Sequence, residues 1–153
     1  MIQRIQSVYL LLTTILAGLF LTGNFFGLFG SSGQEFVMNI RGIFEVTAEK
    51  DDVQVAGAVP VLSIAILIPL LSVISLLLFR TRKRQLLSVL VLIILDLLLM
   101  GTLIYYIISF RDGKDLIPEW RLLIHLINLI LFVMAYIAIR KDENLVRSYD
   151  RLR

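Results

Sequence analysis

The sequence predicts an all-α membrane protein, with four transmembrane helices, both termini inside, and a small β-hairpin in the first outer loop. Three observations lead there. The 153 residues are 58% hydrophobic and 18% charged, with mean hydropathy +0.88, where a soluble domain runs near 45–50% apolar and about 25% charged. The apolar residues gather into four runs of roughly 20 to 25, each long enough to cross a ~30 Å hydrocarbon layer as a helix. The cations flank those runs unevenly, as cytoplasmic loops require.

The first run, about 5–29, follows a lone Arg4. It exceeds the ~7–15-residue core of a signal peptide, and no Ala-x-Ala site closes it, so it reads as a retained helix. The second, about 56–79, carries Pro60 and Pro69, tolerable where neighbouring helices satisfy the freed carbonyls. The third covers about 86–110, and the fourth, about 120–139, follows the short loop holding Gly113 and Pro118. Together they form one four-helix domain, leaving 140–153 as a cytoplasmic tail. The loops leave no room for a soluble catalytic domain, a nucleotide-binding fold or a nucleic-acid-binding module.

Orientation follows from the loops. The N-terminus, the link Arg80–Gln85 and the tail from Arg140 hold ten of the fifteen cations, whereas residues 30–55 and 111–121 hold five cations and eight of the twelve acids. Both termini are therefore expected in the cytoplasm. Tyr9 and Tyr136 fall toward the inner interface and Tyr105, Tyr106 and Trp120 toward the outer one, where amphipathic rings settle. Arg80, Arg82, Lys83, Arg84, Arg147 and Arg151 become inner-surface basic contacts for the lipid bilayer.

The outer stretch Phe36 to Thr47, FVMNIRGIFEVT, is rich in β-formers and broken at Arg41-Gly42. It reads as a hairpin over the helix ends or, failing that, an irregular acidic loop. In the tail, Leu145, Val146, Tyr149 and Leu152 make one apolar stripe, which suits either an amphipathic surface helix or a solvated extension of the fourth span.

The opening MIQRIQSVYLLL (Met1 to Leu12), the basic link between the second and third spans, and the ending IRKDENLVRSYDRLR (Ile139 to Arg153) resemble a Bacteroidota family of small four-helix membrane proteins, domain of unknown function 4293. The resemblance covers the whole chain. Its most specific parts are MIQRIQ and the ending from Lys141 to Arg153. It implies an inner-membrane protein of a didermal bacterium and carries over no catalytic or binding residue.

Within the spans, Asp96 stands out, because an ionisable residue at a helix centre costs about 2.5–3.5 kcal/mol on insertion scales. Its helical neighbours are apolar, and no Lys or Arg lies inside any span except Arg121 at the very start of the fourth. Depth arithmetic at about 1.5 Å per residue puts Thr13 and Thr14 level with it and His125 on the order of 13 Å away. Asp96 is therefore expected to bond Thr13, Thr14 or backbone of span one, or else to hold a proton, or to meet a cation on another subunit. His125 and Asn128, three apart on span four, are expected to bond between helices near the outer interface. Thr14, Gly18 and Thr22 recur every four residues as a small-residue seam permitting close helix approach.

One His and no Cys exclude thiolate chemistry and leave too few ligands for a zinc or transition-metal centre. No Ser–His–Asp set, phosphate-binding loop or HExxH motif occurs, so neither a cofactor nor an enzymatic activity is expected. The expected function is that of a non-enzymatic accessory or structural subunit packing against a larger transport or envelope-assembly complex. The alternative is a small proton-coupled transporter, a homo-oligomer using Asp96.

Overall fold

A computed structural model describes residues 5–30, 33–46 and 53–151, with backbone alone at 80 and 145–151. The elements run α1 (Ile5–Phe20), β1 (Asn24–Phe29), β2 (Glu35–Asn39), β3 (Gly42–Val46), β4 (Val53–Gly57), α2 (Val59–Leu77), α3 (Arg82–Arg111), β5 (Asp115–Pro118) and α4 (Leu122–Arg151), with one 3-10 turn, Leu78–Arg80, joining α2 to α3. This overturns the all-α expectation. Four helices carry a five-stranded antiparallel sheet in the order β4-β3-β2-β1-β5, and the fold is mixed α and β.

The largest departure is in the first apolar run. Helix α1 stops at Phe20 and the remainder, NFFGLF, is β1. Thr22-Gly23-Asn24 breaks the helix as Gly and Asn do, and aromatic residues beyond the break favour a strand. Hydropathy alone cannot separate an apolar strand from the end of an apolar helix. The sixteen residues of α1 span about 24 Å. Helices α2, α3 and the Leu122–Asn144 part of α4 are long and apolar enough to cross a membrane. Other boundaries move as well: 56–57 belong to β4, α3 extends the third span at both ends, and α4 continues helically from the fourth span through Arg151. Pro60 lies in the first turn of α2, where a missing N–H costs nothing, and Pro69 is inside the helix.

The segment expected as a lone hairpin supplies only the β2–β3 pair, closed by the two-residue loop Ile40-Arg41. The Asn39 side chain accepts the Arg41 N–H at 2.8 Å and fixes that loop. On one side β4 is added, and on the other β1, which in turn pairs with β5 from the far end of the chain. Pro118 closes β5 at the sheet edge, where no ladder donor is needed. Helix α3 overhangs far enough for the Tyr106 hydroxyl to donate to Gly57 O at the end of β4 (3.1 Å).

The helices form a ring, α1 and α3 each packing on both α2 and α4. Their buried positions advance in alternating steps of four and three: Gln6, Leu10, Thr13, Ala17 and Phe20 on α1; Val61, Ala65, Ile68, Ser72 and Ser75 on α2; Gln85, Val89, Leu92, Asp96, Leu99 and Leu103 on α3; His125, Asn128, Phe132, Ala135 and Ile139 on α4. That is a heptad seam, the pattern by which helices interlock in bundles. The buried polar residues among the described ones lie on these seams, two on each helix: Gln6 and Thr13, Ser72 and Ser75, Gln85 and Asp96, His125 and Asn128. Most exposed large side chains are aliphatic, so the polarity of the bundle is turned inward.

Candidate functional site

Asp96 and His125 face each other inside the bundle. The His125 Nδ1 and Asp96 Oδ1 are 2.9 Å apart, with the side chains 3% and 0% exposed. With Asp96 as carboxylate, Nδ1–H donates and the neutral imidazole keeps a lone pair on Nε2. Phe20 meets the imidazole edge to face at 4.2 Å, and Phe25 stacks on Phe20 at 4.1 Å with the rings 4° from parallel. Phe25 is buried beside the also buried Phe26 because the β1–β2 register shifts between Asn24 and Phe26. Such a bulge re-aims a side chain, and here Phe25 joins the aromatic roof over the pair.

The expectation that His125 lies too far from Asp96 is wrong, and the sheet explains why. Depth counting assumes level helix ends. Helix α3 instead runs on to Arg111, and the chain comes back along β1 as β5, about 13 Å of return for four residues. Phe29 pairs with Asp115 and Phe26 with Pro118, and Glu119 N donates to Phe25 O at 3.3 Å. Helix α4 therefore starts beside the α1–β1 junction, well below the end of α3, and its first turn is level with Asp96.

Thr13 and Thr14 have other partners. Thr13 Oγ1 lies 3.1 Å from Ser72 Oγ, Thr14 Oγ1 donates to the same oxygen at 3.0 Å, and all three hydroxyls converge on Leu10 O. This cluster joins α1 to α2 rather than to Asp96, and Ser72 was missed because a single serine in an apolar run carries no signal unless its helix partner is known. A second hydroxyl link, Ser88 to Ser75 at 2.9 Å, joins α3 to α2. Each such bond contributes about 0.6 kcal/mol in membrane helices.

Asn128 is 1% exposed, and neither atom of its amide has a hydrogen-bond partner; the same holds for Asp96 Oδ2 and His125 Nε2. The expected interhelical bond of Asn128 is absent, while His125 makes its own to Asp96. Of the expected seam Thr14, Gly18, Thr22, only Thr14 meets another helix, through Ser72 of α2. A Cβ at Gly18 would meet nothing within 4 Å, and Thr22 lies past the end of α1, its hydroxyl on Leu19 O. Of the basic residues, Lys83 and Arg84 are exposed and Arg82 donates to Asp142 O at 2.9 Å, tying α3 to α4. The side chains of Arg80, Arg147 and Arg151 lie outside the described residues, as does the apolar stripe of the tail.

The arrangement can hold and orient a proton between a carboxyl and an imidazole, and it can join two helices. Among the described residues no three His, Asp or Glu gather as a metal set. A comparison with curated proteins finds no match. The family model described as Domain of unknown function (DUF4293) matches residues 2–152, nearly the whole chain, and the chain belongs to that family.

Proposed function

We propose that the protein is a non-enzymatic accessory subunit of the inner membrane of a Bacteroidota cell, docked on a larger transport or envelope-assembly complex. The observation that carries this reading is the closure of the Asp96–His125 pair. The two groups are joined across α3 and α4 through Nδ1 and Oδ1 and roofed by Phe20 and Phe25, which suits a bolt between helices better than a substrate path. The sheet offers such a partner an outer surface, with Val53 and Val55 exposed on the edge strand β4. Purification in mild detergent tests the reading: a stoichiometric larger partner is the expected result, and a homo-oligomer alone would overturn it.

A second reading, a small proton-coupled transporter, draws on the unpartnered Asp96 Oδ2, His125 Nε2 and Asn128 amide, since intramembrane ionisable groups mark proton paths. It requires proton-coupled flux in liposomes that Asp96→Asn abolishes without loss of assembly.

In either reading both termini and the link Arg80–Gln85 face the cytoplasm and the sheet faces outward, because ten of fifteen cations lie on the first side. The chain has no cysteine, so single introduced ones report cleanly. Glu45→Cys should react with a membrane-impermeant thiol reagent added outside and Lys83→Cys should not; the opposite pattern inverts the topology.

A further inference from the structure

Residues Leu122 to Ile139 of α4 include no Lys, Arg, Asp or Glu and rise about 27 Å, close to the ~30 Å of a hydrocarbon layer. Arg140 and Lys141 follow at once, so they stand where such a layer ends. Beside them lies an open groove of about 530 Å³, lined among the described residues by Tyr136, Ile137, Arg140, Lys141 and Asn144. Tyr136, Arg140 and Asn144 are four residues apart and stack along one face of the helix, with Ile137 and Lys141 stacked next to them. Arg140, Lys141 and Asn144 are exposed, and among the described residues none of the four polar side chains has a hydrogen bond or ion pair. Of the nearby acids, Asp142 projects from nearly the opposite side of α4, and Glu143 has a partner of its own. Two cations, a hydroxyl and an amide thus share one groove at the level where lipid phosphates lie.

We propose that this groove binds the headgroup of one anionic phospholipid, with Arg140 and Lys141 donating to the phosphate oxygens and the Tyr136 hydroxyl and Asn144 amide donating beside them. The Arg guanidinium brings a planar fork of donors and the Lys ammonium a compact charge, both suited to phosphate. The surface leading to the groove selects a lipid over a free phosphate. Ile127, Ile130, Met134 and Ile137, each between 42% and 60% exposed, recur in steps of three and four, and the same steps continue to Lys141 and Asn144. One face of α4 therefore offers an apolar lane about 15 Å long that ends in a cationic head, the polarity order of a phospholipid itself. An acyl chain on the lane places its phosphate at Arg140 and Lys141. In the topology proposed above, that lipid belongs to the cytoplasmic leaflet. Headgroup binding of this kind goes beyond the accessory role and needs no partner protein.

Native mass spectrometry of the full-length protein in micelles, titrated with phosphatidylglycerol or with phosphatidylcholine of the same chains, counts the lipids retained. One phosphatidylglycerol should bind saturably and be preferred over the zwitterionic lipid by about tenfold. Arg140→Gln combined with Lys141→Gln should remove that preference. Lys83→Gln combined with Arg84→Gln takes the same charge from exposed positions outside the groove and should keep it. Glycerol 3-phosphate, which has the phosphate without the chains, should not compete at equal concentration. Equal losses in the two double variants would show diffuse attraction to basic residues and overturn the proposal. So would the absence of any preference for phosphatidylglycerol, and full competition by glycerol 3-phosphate would make this a site for free anions and overturn the lipid assignment.

Discussion

Asp96→Leu should destabilise the protein by about 1–3 kcal/mol, since it strands the buried His125 Nδ1 without an acceptor. His125→Phe should cost a similar amount by stranding the carboxyl. The double variant should cost much less than the two together, because replacing both members of a buried polar pair with apolar groups is close to neutral. Asp96→Asn keeps an acceptor for Nδ1–H and should cost under about 1 kcal/mol. Denaturant unfolding in micelles of the four variants and wild type measures the coupling. Additive losses would mean that the two side chains do not support each other. This scheme differs from one in which Asp96 meets a cation on another subunit, where Leu would weaken association rather than folding.

Gly42→Ala should loosen the five-stranded sheet by about 1–3 kcal/mol. Gly42 has φ of +156°, and a Cβ there would run into the backbone oxygen of Ala56 on β4 and crowd the Gln54 amide. The carbonyl belongs to the β3–β4 ladder, in which Ile43 pairs with Ala56 and Gly42 with Gly57, so it cannot swing away without breaking strand pairing. Hydrogen exchange should show β4 amides opening faster while those of α3 and α4 keep their protection. Gly33 provides the comparison: its φ of +79° also disfavours a side chain, but nothing lies within 4 Å of the added Cβ, so Gly33→Ala should cost only about 1 kcal/mol or somewhat more. Equal effects at the two positions would remove the steric argument.

What the sequence makes legible follows the strength of each physical signal. Long runs such as 86–110 show as helices because hydropathy integrates over many residues. The break at Arg41-Gly42 is visible because a two-residue loop leaves a local mark. The rest of the sheet is not, since NFFGLF is as apolar as the helix before it, and DLIP and VQVAG are too short to carry a period. That omission propagated into the site. Without β5, α4 seems to begin level with the end of α3, and the pairing of Asp96 with His125 looks sterically excluded. The heptad seams offered a route to the answer: Asp96, His125 and Asn128 all occupy buried steps of their helices, so a reading by interior face rather than by depth would have grouped them.

The return of β5 also sets the order in which the molecule can be completed. Strands β1 to β4 are consecutive in the chain and close through short loops, so their pairing carries little loop-closure entropy. Strand β5 joins β1 across more than half of the sequence, and a ribosome delivers it only after α2 and α3 have been made. Until then the edge of β1 is open and Asp96 has no histidine, because both deficits are cured by the same stretch of polypeptide, residues 115–125. Arrival of β5 and the first turn of α4 thus covers the β1 edge and gives Asp96 its hydrogen-bond donor at once, which makes a nascent or truncated chain chemically distinct from a finished one at two widely separated places.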